Sequence, residues 1–233
     1  MHIRDQRAYQ LCDSLYPLIS QADVYVGEMD LAFGHRQPDP PVYNMEQYFS
    51  RKGYEKLKKQ LLRSFDFNLD TFSHLHPLLV MSAIMQKLLQ QDHAISLDEH
   101  LWQFAREHDL ITTGLESVDE QVSLLHSIDS APLYAEIRDI GRRPWQIRRH
   151  TRKTLDAYMQ QEVHTLYRLT KSSMQHLRKR IIYERNIVMT KRIIRMDMDK
   201  QYFISVGAGH LSGPTGLISS LRKQQWLVKP VVY

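Results

Sequence analysis

Ala22-Asp23-Val24-Tyr25-Val26-Gly27-Glu28-Met29 is the stretch that sets the fold class. Its β-branched and aromatic residues read as a short buried strand, and it follows residues 4–20, where Ala8, Leu11, Leu15 and Leu18 fall at helical spacing. The alternation of helix and strand recurs along the chain. Ser96 is expected to cap a helix over 97–105, with Glu99 completing a capping box, and residues 110–116 then read as a strand. Residues 201–207 read as another strand, followed by a helix over 213–224 and a final strand over 226–232. Between these units, Pro38-Asp39-Pro40-Pro41 forces a loop, and a polar helix runs from Met45 to about Phe65 with Lys52, Lys56, Lys59 and Arg63 on one solvated side. Asn68 or Asp70 caps a helix over 75–89 that is apolar nearly all round, which implies deep burial. A long helical region occupies 118–128 and 131–197, interrupted near Gly141 and Pro144. Short apolar strands alternating with helices give an α/β class: a central mixed or largely parallel sheet covered by helices, in one domain over 1–233 with a helical insertion at about 118–197.

Composition narrows the function classes. The chain has 233 residues, 42% hydrophobic and 24% charged, so it can bury a core. Its single cysteine, Cys12, excludes an internal disulfide framework and a multi-cysteine zinc site. The longest apolar run, residues 78–85, is far short of the roughly 20 residues that a bilayer requires, so no transmembrane segment is expected. Met1-His2-Ile3-Arg4-Asp5 lacks the apolar stretch of a signal peptide, so the expected compartment is the cytoplasm, or the exterior if an upstream segment precedes it. Net charge is unevenly distributed. Residues 1–120 hold 11 Lys and Arg against 18 Asp and Glu, and residues 121–233 hold 20 against 8. The basic half is expected to dock on the acidic half of the same molecule. Its helices over 138–195 could also meet an acidic partner, and nucleic-acid binding ranks last for want of a recognised motif.

Few residues stand out chemically. Gly207-Ala208-Gly209-His210 follows an apolar strand, where two glycines let the backbone turn and bring an imidazole to the sheet edge. Glu28 and Glu116 end apolar strands, where a carboxylate is costly unless paired, hydrogen-bonded or metal-bound, or unless the strand end is exposed. Arg185, in Glu184-Arg185-Asn186, can clasp a strand-end carboxylate or a substrate anion, or simply belong to a basic helical face. Arg142-Arg143-Pro144-Trp145-Gln146-Ile147-Arg148-Arg149 could contact phosphates. A phosphate-binding Gly-rich loop, a dinucleotide fingerprint, a His-Glu-x-x-His pair and a nucleophile elbow are all missing from the sequence.

In order, these pieces resemble the TraB/PrgY/GumN family, to which the Tiki proteins are related. Met1 to Asp5 resembles the tail of a Gly-x-x-His motif, and Val24 to Met29 its strand with a Glu. Ile111 to Glu116 with Gln121, Tyr183 to Asn186 with Met189, and Phe203 to His210 resemble its remaining elements. The resemblance implies a fold similar to the ChaN and erythromycin-esterase group, with a pseudo-repeated core. It also implies a metal-dependent, peptidase-like hydrolase. His2, Glu28 and His210 would bind a divalent ion, Mn²⁺ or Co²⁺ with Zn²⁺ as a third candidate. Glu116 would be a further ligand or the general base, and Arg185 would orient a carboxylate or stabilise an oxyanion. The substrate would be a peptide or an ester. The alternatives are a metal-free, esterase-like hydrolase and a non-catalytic binding or regulatory scaffold.

Overall fold

Three parallel strands form the sheet of the computed structural model, which describes residues 3–33, 43–89, 91–173 and 177–231. In chain order the elements before the first strand are α1 (Gln6–Tyr9) and α2 (Cys12–Ser20), followed by β1 (Val24–Met29). Then come α3 (Arg51–Phe65), α4 (Leu69–Phe72), α5 (Pro77–Gln86), α6 (Leu97–Glu107) and β2 (Ile111–Glu116). The helical region comprises α7 (Val118–Ser127), α8 (Ala131–Arg142), α9 (Pro144–Met159) and α10 (Val163–Ser173), then a π-helical turn (Lys179–Glu184) that runs into α11 (Arg185–Ile193). β3 (Tyr202–Ile204) and α12 (Leu217–Lys223) complete the fold. The strand order is β2-β1-β3, so the strand read first from the sequence is the central one.

The period-2 alternation of β1 divides the core between its two faces. Tyr25 packs with Ala8, Cys12 and Ile19 of the N-terminal helices and with Leu101 and Ala105 of α6. Val24 and Val26 face the other way, against Leu115, Met189 and Ile193 of α11, and Leu217 of α12. Helices therefore cover both faces, as an all-parallel sheet requires. A separate apolar cluster joins α3, α4, α5 and α8 through Leu57, Leu61, Leu69, Ile84 and Ile137. The two charge-imbalanced halves meet through ion pairs. Arg185 of the basic half bonds to Glu28 and Glu116, and Arg192 bonds to Glu120 at 2.6 Å.

Several element boundaries differ from the sequence reading. Residues 4–20 form two helices, the first capped by Asp5, whose carboxylate accepts from Arg7 N. Ser96 makes no side-chain cap bond; the capping box is instead at Ser117 and Glu120, where both reciprocal bonds form. Asn68 caps the short α4, and His76 Nδ1 caps α5 by accepting from Leu78 N at 3.2 Å. Only Pro77, Val80 and Ile84 of α5 are fully buried, and Leu79 is exposed, so this helix lies half at the surface despite its composition. A break at Gln161, whose φ is +56°, separates α9 from α10 in addition to the stop at Pro144. The expected strand over 226–232 does not form within its described part: Trp226–Val231 is irregular, with Leu227 82% exposed and Val231 66% exposed. Pro230 removes a ladder donor there. The pseudo-repeat would need a strand before His2, which lies outside the described residues.

The pairing of β1 and β2 is close where Gly27 faces Gly114. A Cβ on Gly114 would come within 2.2 Å of Asp30 N and 2.6 Å of the Met29 carbonyl carbon, both backbone atoms that cannot give way. Gly114→Ala should therefore lose more than about 3 kcal/mol of stability or fail to fold, as read by thermal and denaturant melts. The Arg192 pairing holds the Glu120 carboxyl at about 2, against an ordinary 4.5. Because the folded value is the lower one, this contribution is complete above pH 4.5 and fades as pH falls toward about 2. An acid titration of stability should show a smaller loss over that window in Arg192→Met than in the wild type.

Candidate functional site

Parallel strands put all their carboxyl ends at one edge, and three sequence-distant carriers of chemistry meet there. Glu28 is near the end of β1 and Glu116 ends β2, while the chain leaving β3 turns at Gly207 to carry His210. Arg185 reaches this edge from the first residue of α11. The π-helical turn just before it widens the helix by about one residue, a device that re-aims the side chains which follow.

Arg185 connects the cluster. Its Nε donates to both Glu116 oxygens, at 2.9 and 3.0 Å, and its Nη2 donates to Glu116 Oε2 at 2.5 Å. Nη2 also donates to Glu28 Oε1. Nη1 is less committed, donating to Ile181 O at 3.3 Å and lying 3.4 Å from His210 Nε2. Gln121 Nε2 adds a bond to Glu116 Oε2 at 3.3 Å, and Gly207 N donates to Glu28 Oε2 at 3.0 Å. Gly207 serves here by close approach, since a Cβ would stand 3.2 Å from that carboxylate oxygen. Neither Gly207 nor Gly209 has a positive φ; among the described residues the glycine that does is Gly213, at +95°.

His210 is buried and held by Asn186. Asn186 Nδ2 donates to His210 O at 3.2 Å and to Thr215 O at 2.7 Å, which fixes its Oδ1 as the acceptor facing His210 Nδ1 at 2.6 Å. Nδ1 must therefore carry the proton, and in the neutral ring the lone pair is on Nε2. That atom lies 3.9 Å from Glu28 Oε1. Burial pushes the imidazole below the ordinary histidine value of 6.5, with Glu28 opposing the shift and Arg185 adding to it. Burial pushes the Glu28 carboxyl up, but the charge of Arg185 and the bonds from Arg185 and Gly207 outweigh it and hold it below the usual carboxylate range. Burial alone would lower Arg185; its bonds and attraction to the two glutamates instead raise it above its ordinary value. With His210 neutral, the cluster carries one net negative charge.

A cleft of about 150 Å³ borders the cluster on its Glu116 side, between α7 and the helix containing Arg185, and is lined by Gln121, Leu124, Arg180, Glu184 and Val188. A larger surface cleft of about 430 Å³ lies along the lysine-bearing face of α3 and shares no residue with the cluster.

A family model of the TraB/PrgY/gumN family matches residues 1–230. The chain belongs to the TraB/PrgY/gumN family. No curated protein and no solved structure matches it. Of the site residues expected from the sequence, the structure brings Glu28, Glu116, Arg185 and His210 together, while His2 lies outside the described residues. Asn186, which the sequence shows only as a neighbour of Arg185, orients the histidine. A signal for it exists: Asn186, Met189, Thr190 and Ile193 form the buried stripe of α11, and an amide on an apolar stripe calls for specific partners. Arg142, Arg149 and Arg152 are exposed, and Arg148 donates to Ser64 O beside the Phe65 ring, far along the chain from the cluster.

The fit of this donor set to a divalent ion is poor. Glu28 Oε1 and His210 Nε2 face each other as two ligands could, but the Arg185 guanidinium lies against both atoms and against Glu116. Among the described residues no group of three or more His, Cys, Asp or Glu is arranged to hold a metal ion. Also among the described residues, no helix is long and apolar enough to cross a membrane.

The Asn186 clamp has a measurable signature. Ring ¹⁵N shifts at pH 7.5 should show His210 as the Nδ1–H tautomer in the wild type and as a mixture in Asn186→Leu. That variant should also lose about 1–3 kcal/mol per carbonyl left unpaired.

Proposed function

We propose that this chain is a hydrolase of peptide or ester bonds whose attacking water is held between His210 Nε2 and Glu28 Oε1. The observation that carries this reading is the tautomer clamp, which leaves a basic lone pair on Nε2 facing an ionised carboxylate 3.9 Å away. That separation suits one water bonded to both atoms at ordinary lengths of about 2.8 Å. As the water oxygen attacks the carbonyl carbon, Nε2 takes its proton; when the tetrahedral intermediate collapses, the carbon–nitrogen or carbon–oxygen bond breaks and the same proton passes to the leaving group. Glu28 orients the water and stabilises the transient imidazolium. Arg185 Nη1, whose contacts among the described residues are both long, is the donor for the developing oxyanion, and Glu116 holds the guanidinium in place. Because the described donors do not fit a divalent ion, no step is assigned to one.

The test is a screen of activated esters and short peptides, with and without chelator, using wild type, His210→Gln and Arg149→Ala. Wild type should turn over a member of the panel, and His210→Gln should lose at least about 10²-fold. Arg149→Ala should stay within about twofold of the wild type, because exposed Arg149 takes no part in the cluster. Burial keeps His210 unprotonated below its ordinary 6.5, so the rate should persist to lower pH than a free imidazole allows and then fall as His210 gains its proton. Full activity in His210→Gln would remove the proposed base. Loss on chelation with recovery on Mn²⁺ would replace the metal-free step, and no turnover by folded wild type would favour the scaffold reading.

A further inference from the structure

We infer that Arg178 anchors a binding site for a small oxyanion, a carboxylate or a phosphate group, beside the loop that carries His210. Arg178 immediately precedes the π-helical turn and is only 6% exposed. Its Nη2 is buried without a hydrogen-bond partner, and among the described residues no carboxylate forms an ion pair with it. Its chain neighbours Leu177, Ile181 and Ile182 belong to a buried apolar cluster. A buried charge is costly unless it is paired and hydrogen-bonded, and an arginine cannot escape that cost by deprotonating. An oxyanion would supply both the opposite charge and the acceptor.

The surroundings suit a ligand of negative charge. Residues 163–183, which carry Tyr167 and Arg178, hold five Lys and Arg and no Asp or Glu, so this stretch of chain offers the guanidinium no counter-charge of its own. What it does offer is aromatic: the Arg178 Cζ lies 4.5 Å from the centre of the Tyr167 ring and 4.7 Å from that of Tyr183. Cation–π contacts of this kind engage the face of a guanidinium and leave its N–H edge to an acceptor. The two phenols are hydrogen-bonded to each other, which uses one of their protons and leaves the other for a further acceptor. Tyr167 in turn packs on Gly213, where a Cβ would come within 2.1 Å of the ring. The cation and its two rings are thereby fixed against the chain that follows His210.

This site shares no residue with the proposed hydrolysis and is read without turnover. The full chain is melted at constant ionic strength in chloride, and then with about 20 mM inorganic phosphate, N-acetyl-dialanine or its carboxyl-amidated form. The wild type should gain about 3 °C or more with phosphate, with the free-acid peptide or with both, and less than about 1 °C with the amidated peptide. A gain with phosphate alone assigns the site to a phosphate group, and a gain with the free acid alone assigns it to a carboxylate. Arg178→Met should lose the gain. In chloride it should melt no lower than the wild type, because an apolar side chain replaces an uncompensated buried charge. His210→Gln should keep the gain.

The inference is overturned if neither phosphate nor the free acid raises the wild type, if the amidated peptide acts as well as the free acid, or if Arg178→Met keeps the gain. An Arg178→Met chain that melts well below the wild type in chloride, or fails to fold, also overturns it, since the guanidinium would then already be satisfied within the protein. Loss of the gain in His210→Gln would put the anion at the strand-end cluster instead.

Discussion

Two carboxylates brought side by side at the ends of adjacent parallel strands, one of them buried, call for a cation between them, and the fork from Arg185 to Glu116 and Glu28 supplies it. Much of the arrangement around the sheet edge follows from satisfying that ion group. Glu116 takes further support from Gln121 on α7, and Glu28 from the backbone of Gly207 after β3. Arg185 is bonded in turn to the carbonyl of Ile181 in the π-helical turn. Residues from β1, β2, the β3 exit, α7 and α11 thus share one charge network, and the loss of Arg185 would leave both carboxylates without their cation.

That network also explains why the histidine is held separately. Arg185 repels a protonated imidazole and Glu28 attracts one, so charge alone leaves the ring poorly defined. Asn186 resolves this by geometry. Its amide nitrogen is bonded to two carbonyls of the loop that carries His210, so its oxygen has one orientation available, and the ring proton must be on Nδ1. Consecutive residues at the start of α11 therefore do different work: Arg185 sets the charge of the site and Asn186 the tautomer. The ion pair between Arg192 and Glu120, farther along the same helix, ties α11 to α7 and keeps that start in register with β2.

The electrostatic imbalance along the chain has its physical outlet here. The acidic half provides the strand ends and α7, and the basic half provides α11, so the opposite charges become internal partners at the edge where they meet. Much basic surface remains on α9, where Arg149, Arg152 and Lys153 are exposed.

Three strand positions, the α/β class and the two strand-end carboxylates Glu28 and Glu116 were legible in the sequence, because buried strands are written in short β-branched runs and an ionisable residue ending one is conspicuous. Helix limits were less so. Ser96 has the local pattern of a capping box and makes no cap bond, while Ser117 with Glu120 forms the box, since the choice depends on how the preceding chain enters the helix. Trp226 to Val231 has the composition of a strand but no ladder, because a strand exists only where a neighbour offers its backbone. The sequence likewise names an arginine and two glutamates without saying that one guanidinium touches both. Only the parallel register of β1 and β2 and the π-helical turn before α11 decided that, since residues 28, 116, 185 and 210 have no local relation and become neighbours solely through packing.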